Sequence, residues 1–447
     1  MPKEKRMHEL LSWPVIKRLY ECACADPQFY EHLQKDGEGT LLLAGLDIPC
    51  DAALHTLESM KDTTYEEHPY FALYLPRVKD ILAETERRLA PDNFAMQDYF
   101  SLGLITKKRM CVQNSLLRSH PNVRYFPVIF ELSEGCSVGC SFCGLGAEKL
   151  SKVFFHTDEN AALWKEVLSA TRELVGQAAG TGVCYFATEP FDNPDYELFV
   201  EDFKRVFGHT PQTTTAVADR DTERFRNFIR SISEEDMYNA AVRISVRTKE
   251  QFYDIMRLFS PEELSDIEII PNNPESVNRY AASGRARDEK NAVYSISCLA
   301  GLRVNMAAKK VTYEEPELSC DEFPTGERIY GSMPFTDAGS FRRAVSELSE
   351  RFLRAGIKNE DVIVLPDGVH VEINGNEAAF FGDGAVLRVT GNRFFTEGVK
   401  LLSDKGISLA ETGKKLYNSD YVMNMFREKL ERIFEAGYLR CLPKELF

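Results

Sequence analysis

The stretch Cys136-Ser137-Val138-Gly139-Cys140-Ser141-Phe142-Cys143 contains three cysteines, separated by three and then by two residues. It follows an apolar run from Phe126 to Leu132, so the cysteines lie on a loop that leaves a predicted strand. Three thiolates this close together can hold a [4Fe–4S] cluster and leave its fourth iron open to a small molecule. A zinc site would need a fourth ligand, and no CxxC or histidine pair follows nearby. Ordinary buried thiols are the other alternative. We predict that Cys136, Cys140 and Cys143 ligate a [4Fe–4S] cluster.

The same eight residues resemble the CxxxCxxC loop of the radical S-adenosylmethionine (SAM) enzymes, with an aromatic residue, Phe142, directly before the last cysteine as in that family. The resemblance implies that the open iron binds SAM and that Phe142 lies at the cofactor. In that family an electron from the cluster cleaves SAM to methionine and a 5′-deoxyadenosyl radical. This chemistry belongs to the cofactor, while the protein supplies position and excludes water.

Composition limits the classes of partner. The chain has 447 residues, which predicts two or three domains. Its formal net charge of −15 argues against nucleic acid and against anionic membranes as partners. No apolar run approaches transmembrane length, and the start of the chain lacks the apolar core of a signal peptide. We therefore predict a cytoplasmic protein, in which the 11 cysteines serve metal binding, catalysis or burial rather than disulfides.

Residues 1–120 are predicted to form a helical region. Asp26-Pro27 is predicted to begin a helix, with aspartate as the N-cap and proline in the first turn. The segment Leu19–Leu54 resembles the Nif11-type leader peptides of ribosomally synthesised and post-translationally modified peptides (RiPPs). A helical cap on the main domain is the alternative role for this segment.

Residues 121–330 alternate between strand and helix patterns, which predicts parallel strands with right-handed crossovers. An α/β fold with an open (β/α)6 barrel fits this length, and the radical SAM resemblance implies the same partial barrel. A hairpin of Arg303–Met306 and Lys310–Glu314 is predicted after the barrel, and a loop over residues 317–335. The six predicted strands are Tyr125–Leu132, Gly182–Ala187, Thr213–Ala218, Val242–Val246, Asp266–Ile270 and Ala292–Ser297.

Residues 331–447 are predicted to form a winged-helix-like module, and a helix capped by Thr336 and Asp337 is predicted at the start of this range. Strands are predicted at Val362–Leu365, His370–Ile373, Glu377–Phe380 and Val386–Val389, and helices at Phe395–Leu402, Leu409–Leu416 and Tyr421–Glu435. The order resembles the RiPP recognition element, which binds the leader of a precursor peptide by adding a strand to an open sheet edge. Most winged helices bind DNA, but the acidic charge and the neighbouring barrel favour a peptide.

Four further residues match SAM-binding positions of the family. Ala187-Thr188-Glu189-Pro190 stands where the family has a Gly-Gly-Glu-Pro-like turn, so the resemblance implies Thr188 and Glu189 at the SAM amino group. A carboxylate is a sound partner for an ammonium, although an acid near a helix start is the alternative reading. Ser245 and Arg247 share one face of a predicted strand, where family members bind the ribose and the SAM carboxylate. A surface charge is the alternative for Arg247.

The stretch from Tyr185 to Tyr196 resembles one subgroup in particular, the radical SAM peptide epimerases of proteusin-type RiPP pathways. The resemblance implies conversion of L- to D-residues in a precursor peptide by α-hydrogen abstraction, followed by hydrogen return from a cysteine thiol. The subgroup's donor cysteine lies in a loop downstream of the barrel, which favours Cys320, with Cys298 as the alternative. A flavodoxin or ferredoxin is the expected electron donor.

Two other functions stay open from the sequence. One is another radical SAM modification of RiPPs that forms C–C or C–S bonds, although no second cysteine cluster follows the barrel as in the thioether-forming enzymes. The other is a non-catalytic iron–sulfur protein that binds peptides.

Overall fold

The computed structural model describes residues 11–62, 69–114, 125–239, 241–290, 292–293, 297–353, 355–405, 408–416 and 419–446. None of the described helices is both long and apolar enough to cross a membrane. The described part of the N-terminal region is helical, as predicted. Its helices are α1 (Trp13–Ala25), α2 (Phe29–Lys35), α3 (Gly37–Leu43), α4 (Cys50–Asp62), α5 (Pro69–Arg88) and α6 (Gln97–Gln113).

The prediction that Asp26 caps the second helix is wrong. Asp26 ends α1, and its carboxylate accepts a hydrogen bond from the backbone N–H of Gln28 at 3.2 Å, so that α2 begins only at Phe29. Leu19, Cys22 and Phe29 are fully buried in the main hydrophobic core. The first two helices therefore pack directly on the central part of the chain.

The central part alternates strands and helices. Thr157 begins the first long helix because its hydroxyl accepts a hydrogen bond from the N–H of Asn160, and Gly176, with φ at 106°, ends it. The elements are β1 (Phe126–Glu131), β2 (Ser133–Glu134), β3 (Lys152–Val153), α7 (Asp158–Val175), α8 (Tyr196–Phe207), β4 (Thr213–Thr215), α9 (Thr222–Ser231), α10 (Glu234–Tyr238), β5 (Val242–Val246), α11 (Lys249–Leu258), β6 (Glu268–Pro271), β7 (Tyr280–Ala281), β8 (Ala292–Val293), β9 (Leu299–Asn305), β10 (Lys310–Pro316), β11 (Glu327–Pro334) and α12 (Ala338–Phe352).

Two parallel arrangements appear among these strands. β4, β5 and β6 pair in that order, and β1 pairs with β9, with Glu131 opposite Asn305. The predicted strand Gly182–Ala187 is not regular in the structure, although the N–H of Phe130 donates to the carbonyl of Val183 at 2.9 Å. Residues 182–187 therefore run beside β1 and share one backbone hydrogen bond with it.

The prediction for the sixth strand is also wrong. Only Ala292–Val293 is a strand within the predicted range Ala292–Ser297, and it pairs with β7; residues 294–296 lie outside the described part. The strand beside β1 is β9, which was predicted as half of a hairpin. β9 does pair antiparallel with β10, so the hairpin itself is confirmed.

Residues 317–335 were predicted to form a loop, but the second half of this range contains β11, which pairs antiparallel with β10. Gly331 favoured a loop in the sequence. In the structure a Cβ there would lie 2.6 Å from the ring of Phe352, so glycine serves close packing within a strand. α12 packs in the main core through Phe341 and Leu348, and the predicted boundary at residue 331 falls inside β11.

β1 has two different faces. Val128 and Phe130 are fully buried in the main core, where the ring of Phe130 meets that of Trp164 on α7 at 5.1 Å. Ile129, between them, belongs to a small separate cluster with Val183 and Leu299. One face of β1 thus packs on helices. On the other face, Ile129 packs with side chains of the two neighbouring segments, residues 182–187 and β9.

The C-terminal part has the predicted order of strands and helices, with one addition. β12 does not join the three-stranded antiparallel sheet β13-β14-β15 and pairs instead with β16, which the sequence did not suggest. The elements are β12 (Val362–Val364), β13 (His370–Asn374), β14 (Glu377–Gly382), β15 (Ala385–Thr390), α13 (Arg393–Lys405), α14 (Leu409–Leu416), α15 (Asp420–Glu435) and β16 (Arg440–Leu442).

This C-terminal part is fastened to the rest in two ways. Its hydrophobic core includes Ile105 and Val112 from α6. Arg440 on β16 forms a buried ion pair with Glu317, which follows β10 and also pairs with Arg328 at 3.2 Å. These arginines hold the pKa of the Glu317 carboxyl below its usual value, against the opposing effect of burial.

Candidate functional site

The cysteine loop begins at the carboxyl end of β1, where β2 pairs with β3. The N–H of Cys136 donates to the carbonyl of Glu148 at 2.8 Å, and the N–H of Leu150 donates to the carbonyl of Cys136 at 3.2 Å. These bonds close residues 137–148 into a loop. Its first cysteine is therefore held by backbone on both sides.

Asp192 holds the first part of this loop. Its carboxylate accepts hydrogen bonds from the N–H of Ser137 at 2.8 Å and from the Ser137 hydroxyl at 2.5 Å. Arg220 contacts both partners, Asp192 at 3.1 Å and the Ser137 hydroxyl at 3.0 Å. The segment after Glu189 and the segment after β4 thus meet on the residue next to Cys136.

Arg285 holds the second part. Its side chain donates to the carbonyls of Cys140 and Ala147, both at 2.7 Å, and its backbone N–H donates to the carbonyl of Cys143 at 3.0 Å. Gly284, with φ at 55°, lets the chain approach closely, because a Cβ there would lie 2.4 Å from the carbonyl oxygen of Cys143.

The three thiols of the loop are free and half-buried. Burial raises the pKa of Cys136, and it raises the pKa of Cys140 to about 11, with the neighbouring Cys136 and Cys143 adding to the effect and Arg247 opposing it. Their side chains do not converge on one point: no group of three His, Cys, Asp or Glu among the described residues is arranged to hold a metal ion. Three free thiols on one anchored loop are nevertheless the donor set that a [4Fe–4S] cluster requires.

Phe142 is half-buried in the cysteine loop. Its ring stacks on that of Tyr280 in β7, with centroids 5.9 Å apart and planes 19° from parallel. Offset stacking of this kind stabilises a loop position. The aromatic residue before the last cysteine is therefore tied to the segment that carries Arg285.

Glu189 is buried, at 4% exposure. Its carboxylate accepts hydrogen bonds from the Thr215 hydroxyl at 2.6 Å, the N–H of Ala216 at 2.9 Å and the N–H of Phe191 at 3.2 Å. Burial raises the pKa of this carboxyl to about 7, while these donors oppose the shift. Glu189 thus joins its segment to the end of β4, and half-buried Thr188 precedes it.

Replacing Glu189 by glutamine is expected to change how stability depends on pH. Because the folded-state pKa lies above the unfolded value, wild-type protein loses free energy of unfolding as the pH rises from about 4.5 to 7, and the loss is complete above that range. The difference in free energy of unfolding between wild type and Glu189→Gln should shift by about 2–3 kcal/mol between pH 5 and 8. Urea unfolding of metal-free protein measures it; a pH-independent difference would contradict the assignment.

Ser245 lies in β5, and Arg247 directly follows Val246, the last residue of that strand. The Ser245 hydroxyl accepts a hydrogen bond from the Asn272 amide at 2.8 Å. The N–H and Nε of Arg247 both donate to Gln251, at 2.9 and 3.2 Å. The positive charge of Arg247 also opposes the rise in the pKa of Cys140.

Cys320 lies half-buried in the loop between β10 and β11. Its carbonyl accepts a hydrogen bond from Arg287 at 3.2 Å. The same loop is bonded to Gly284, whose N–H donates to the carbonyl of Pro324 at 2.7 Å. The short segment from Gly284 to Arg287 therefore contacts both the cysteine loop and the Cys320 loop.

Cys298 stands at the other end of β1. Its carbonyl accepts from the N–H of Phe126 at 2.6 Å, and five residue steps, about 17 Å of strand, separate this point from Glu131. The side chain is exposed, yet desolvation raises the pKa of its thiol and Arg243 opposes the shift.

The sequence did not point to the residues that anchor the loop. Asp192, Arg220, Arg285 and Arg287 are common surface residue types in strand–helix connections. Asp192 lies within the stretch that resembles the epimerases, and this was the only feature of the sequence that pointed to a role for it.

Comparison with known proteins adds one relative. The chain is 34% identical over 250 residues to the uncharacterized protein y4wI of Sinorhizobium fredii, an alignment that covers 53% of this chain and 48% of y4wI. The chain thus spans about half the length of this relative. No protein-family model matches the chain, and no solved structure matches it. Because y4wI is uncharacterized, the similarity carries no function to this chain.

Proposed function

We propose that this protein is a radical SAM peptide epimerase that converts L- to D-residues in a ribosomally made precursor peptide. One observation carries the proposal: three free thiols lie on an anchored loop that leaves the carboxyl end of a parallel strand, and the segment that anchors it also contacts the loop of Cys320. The carboxyl ends of parallel strands are where α/β proteins bind ligands.

The pairing pattern supports a partial (β/α)6 barrel. β1 and β9 are parallel, β4, β5 and β6 are parallel, and residues 182–187 run between the two groups. Helices α7 to α9 and α11 connect successive strands, as right-handed crossovers require. In this arrangement the face of β1 that carries Ile129 would line the interior.

The cluster would be held by Cys136, Cys140 and Cys143, and SAM would lie near Phe142, Thr188, Glu189, Ser245 and Arg247. When bound, this pair supplies a 5′-deoxyadenosyl radical after one-electron reduction. The protein's own contributions are position and charge. Glu189 supplies an acidic group and Arg247 a basic group, and both act on the pKa of Cys140, so a ligand with an ammonium and a carboxylate would have a partner for each charge.

The donor thiol would complete the reaction. Removal of the α-hydrogen leaves a carbon radical on the peptide, and transfer of a hydrogen atom from the Cys320 S–H to the opposite face gives the D-residue and a thiyl radical. One electron and one proton, from a flavodoxin- or ferredoxin-type donor and from solvent, restore the thiol. Cys320 is favoured over Cys298 because its loop is bonded to the segment that holds the cysteine loop.

The C-terminal part would recruit the precursor. Among the described residues β15 pairs only with β14, which leaves its other edge for an added strand. Beside it, Tyr421 and Met425 on α15 are 72% and 41% exposed, and Lys429 on the same helix face donates to the carbonyl of Thr390 at 2.8 Å. The leader would lie between β15 and this face, and by the Nif11 resemblance it belongs to that type.

The decisive experiment is anaerobic reconstitution of the cluster, followed by incubation with SAM, a reductant and the co-encoded precursor in deuterated water. Epimerisation gives 5′-deoxyadenosine, D-residues and one deuterium per converted residue. Formation of C–C or C–S bonds would instead remove two hydrogens. A cluster-loaded protein that makes no 5′-deoxyadenosine would leave only a non-catalytic peptide-binding role.

Replacing Tyr421 and Met425 together by alanine is expected to weaken leader binding by about 10- to 100-fold, because exposed aromatic anchors dominate such interfaces. Fluorescence anisotropy of a labelled leader peptide measures this. Leu198→Ala, which removes a 47% exposed side chain from α8, is the matched control and should bind as wild type. Equal affinities for all three proteins would place the leader elsewhere.

A further inference from the structure

The described residues include one anchor of the cysteine loop that no family pattern assigned. Asp192 is only 2% exposed at its side chain, yet its carboxylate accepts two hydrogen bonds from Ser137, one from the backbone and one from the hydroxyl. Arg220, with half of its side chain exposed, donates to both the Asp192 carboxylate and the Ser137 hydroxyl. Asp192 lies within a short 3₁₀ turn, Pro190–Asp192, which Glu189 caps.

Each of these contacts acts on the neighbour of Cys136. The N–H of Ser137 belongs to the peptide group that joins Ser137 to Cys136. A hydrogen bond that holds this peptide group therefore also holds the backbone from which the Cys136 side chain projects. The three members are distant in sequence, since 55 residues separate Ser137 from Asp192 and 83 separate it from Arg220. Only the assembled fold brings them together, and charge-assisted bonds of this kind are the stronger ones.

The other half of the loop is held differently. The Arg285 guanidinium contacts the carbonyl oxygens of Cys140 and Ala147, whereas Ser137 is bonded to the ion pair of Asp192 and Arg220. Burial is the main cause of the raised pKa of Cys136, and Glu189 and Asp192 add to it. The two halves of the loop are thus anchored by different groups, one by an ion pair and the other by Arg285.

We propose that Asp192 is a positioning residue for the first cluster ligand: through Ser137, and with Arg220, it fixes Cys136 and places a negative charge beside the cluster. The proposal takes the presence of a bound cluster from the proposed function. Its geometric part, the positioning of the Cys136 thiol, concerns this chain alone. A buried negative charge disfavours the added electron, so Asp192 would lower the reduction potential of the bound cluster.

The first test uses metal-free protein under reducing conditions. Alkylation by iodoacetamide is followed at each cysteine by mass spectrometry. Asp192→Asn should raise the rate at Cys136 about tenfold, since local opening becomes easier and the neighbouring charge is gone. Ser137→Ala keeps the charge and loses the hydroxyl, and should give a smaller rise at the same residue. Cys320 should react at the wild-type rate in both variants.

Asp195→Asn is the matched control. It makes the same chemical change three residues along, where the carboxylate accepts from the N–H of His156 at 2.8 Å and does not touch the loop. It should leave the Cys136 rate unchanged. An unchanged Cys136 rate in Asp192→Asn, no rise in Ser137→Ala, or an equal rise in the control would overturn the positioning role.

The second test uses the cluster-loaded protein. Redox titration followed by electron paramagnetic resonance should give a more positive midpoint potential for Asp192→Asn than for wild type, while Asp195→Asn titrates as wild type. An unchanged or more negative potential would overturn the electrostatic part. If neither the wild type nor any variant takes up a cluster, the proposed function fails. The alkylation result still decides whether Asp192 positions Cys136.

Discussion

Replacing Cys136, Cys140 and Cys143 together by alanine is expected to give a folded protein that takes up no iron and makes no 5′-deoxyadenosine above the background of the assay. The loop thiols are half-buried and belong to none of the hydrophobic clusters of the described residues. Each substitution should therefore cost about 1 kcal/mol of unfolding free energy or less. Iron content, the visible absorption of the reconstituted protein and the unfolding midpoint measure these effects.

Cys24→Ala is the control for this experiment. Cys24 is also half-buried, but it lies on α1, away from the loop. It should bind iron and cleave SAM as wild type does. Full iron uptake by the triple variant would show that the cluster, or any metal, is held by other groups, and it would remove the basis of the proposed function.

Cys320→Ala is expected to separate radical formation from epimerisation. The variant should still make 5′-deoxyadenosine, because Cys320 has no role in the cysteine loop, but D-residues and deuterium incorporation should fall by about 100-fold or more. Cys298→Ala is the matched control and should epimerise near the wild-type level, because Cys298 lies at the opposite end of β1. Product analysis after acid hydrolysis in deuterated acid measures both.

The reverse outcome is informative as well. If Cys298→Ala loses D-residues while Cys320→Ala keeps them, the donor is Cys298, and the substrate binds at the end of β1 where Cys298 lies. If both variants epimerise with deuterium uptake, no thiol of this pair is the donor.

The sequence predicted correctly those helices and strands that are specified by a pattern of neighbouring residues. Val242–Val246 is a strand with the predicted bounds, because it alternates buried and half-buried residues between clear turns. The sixth strand was displaced because residues 292–305 are strand-like throughout. Only the long-range pairing of Leu299 with Phe126 decides which part joins β1, and that pairing leaves no mark in the local pattern.

The candidate site divides in the same way. The three cysteines could be found because they are adjacent in sequence and their spacing is chemically restrictive. Their anchors could not, because Arg285 reaches the carbonyl of Cys140 across 145 residues. An arginine that donates to carbonyls carries no spacing rule, so only the folded chain reveals it. The role of Glu189 in joining its segment to β4 was hidden for the same reason.

The buried pair of Arg440 and Glu317 limits how this chain could be recombined with others. Glu317 stands three residues before Cys320, in the loop that would deliver the thiol. A chimera that exchanged the C-terminal part, beginning near residue 356, would leave Glu317 with Arg328 as its remaining ion-pair partner, and breaking a buried pair costs about 3–5 kcal/mol. If the C-terminal part binds the leader as proposed, a chimera meant to exchange leader specificity should have its crossover before β10, so that the loop of Cys320 is exchanged together with the part to which Glu317 is bonded.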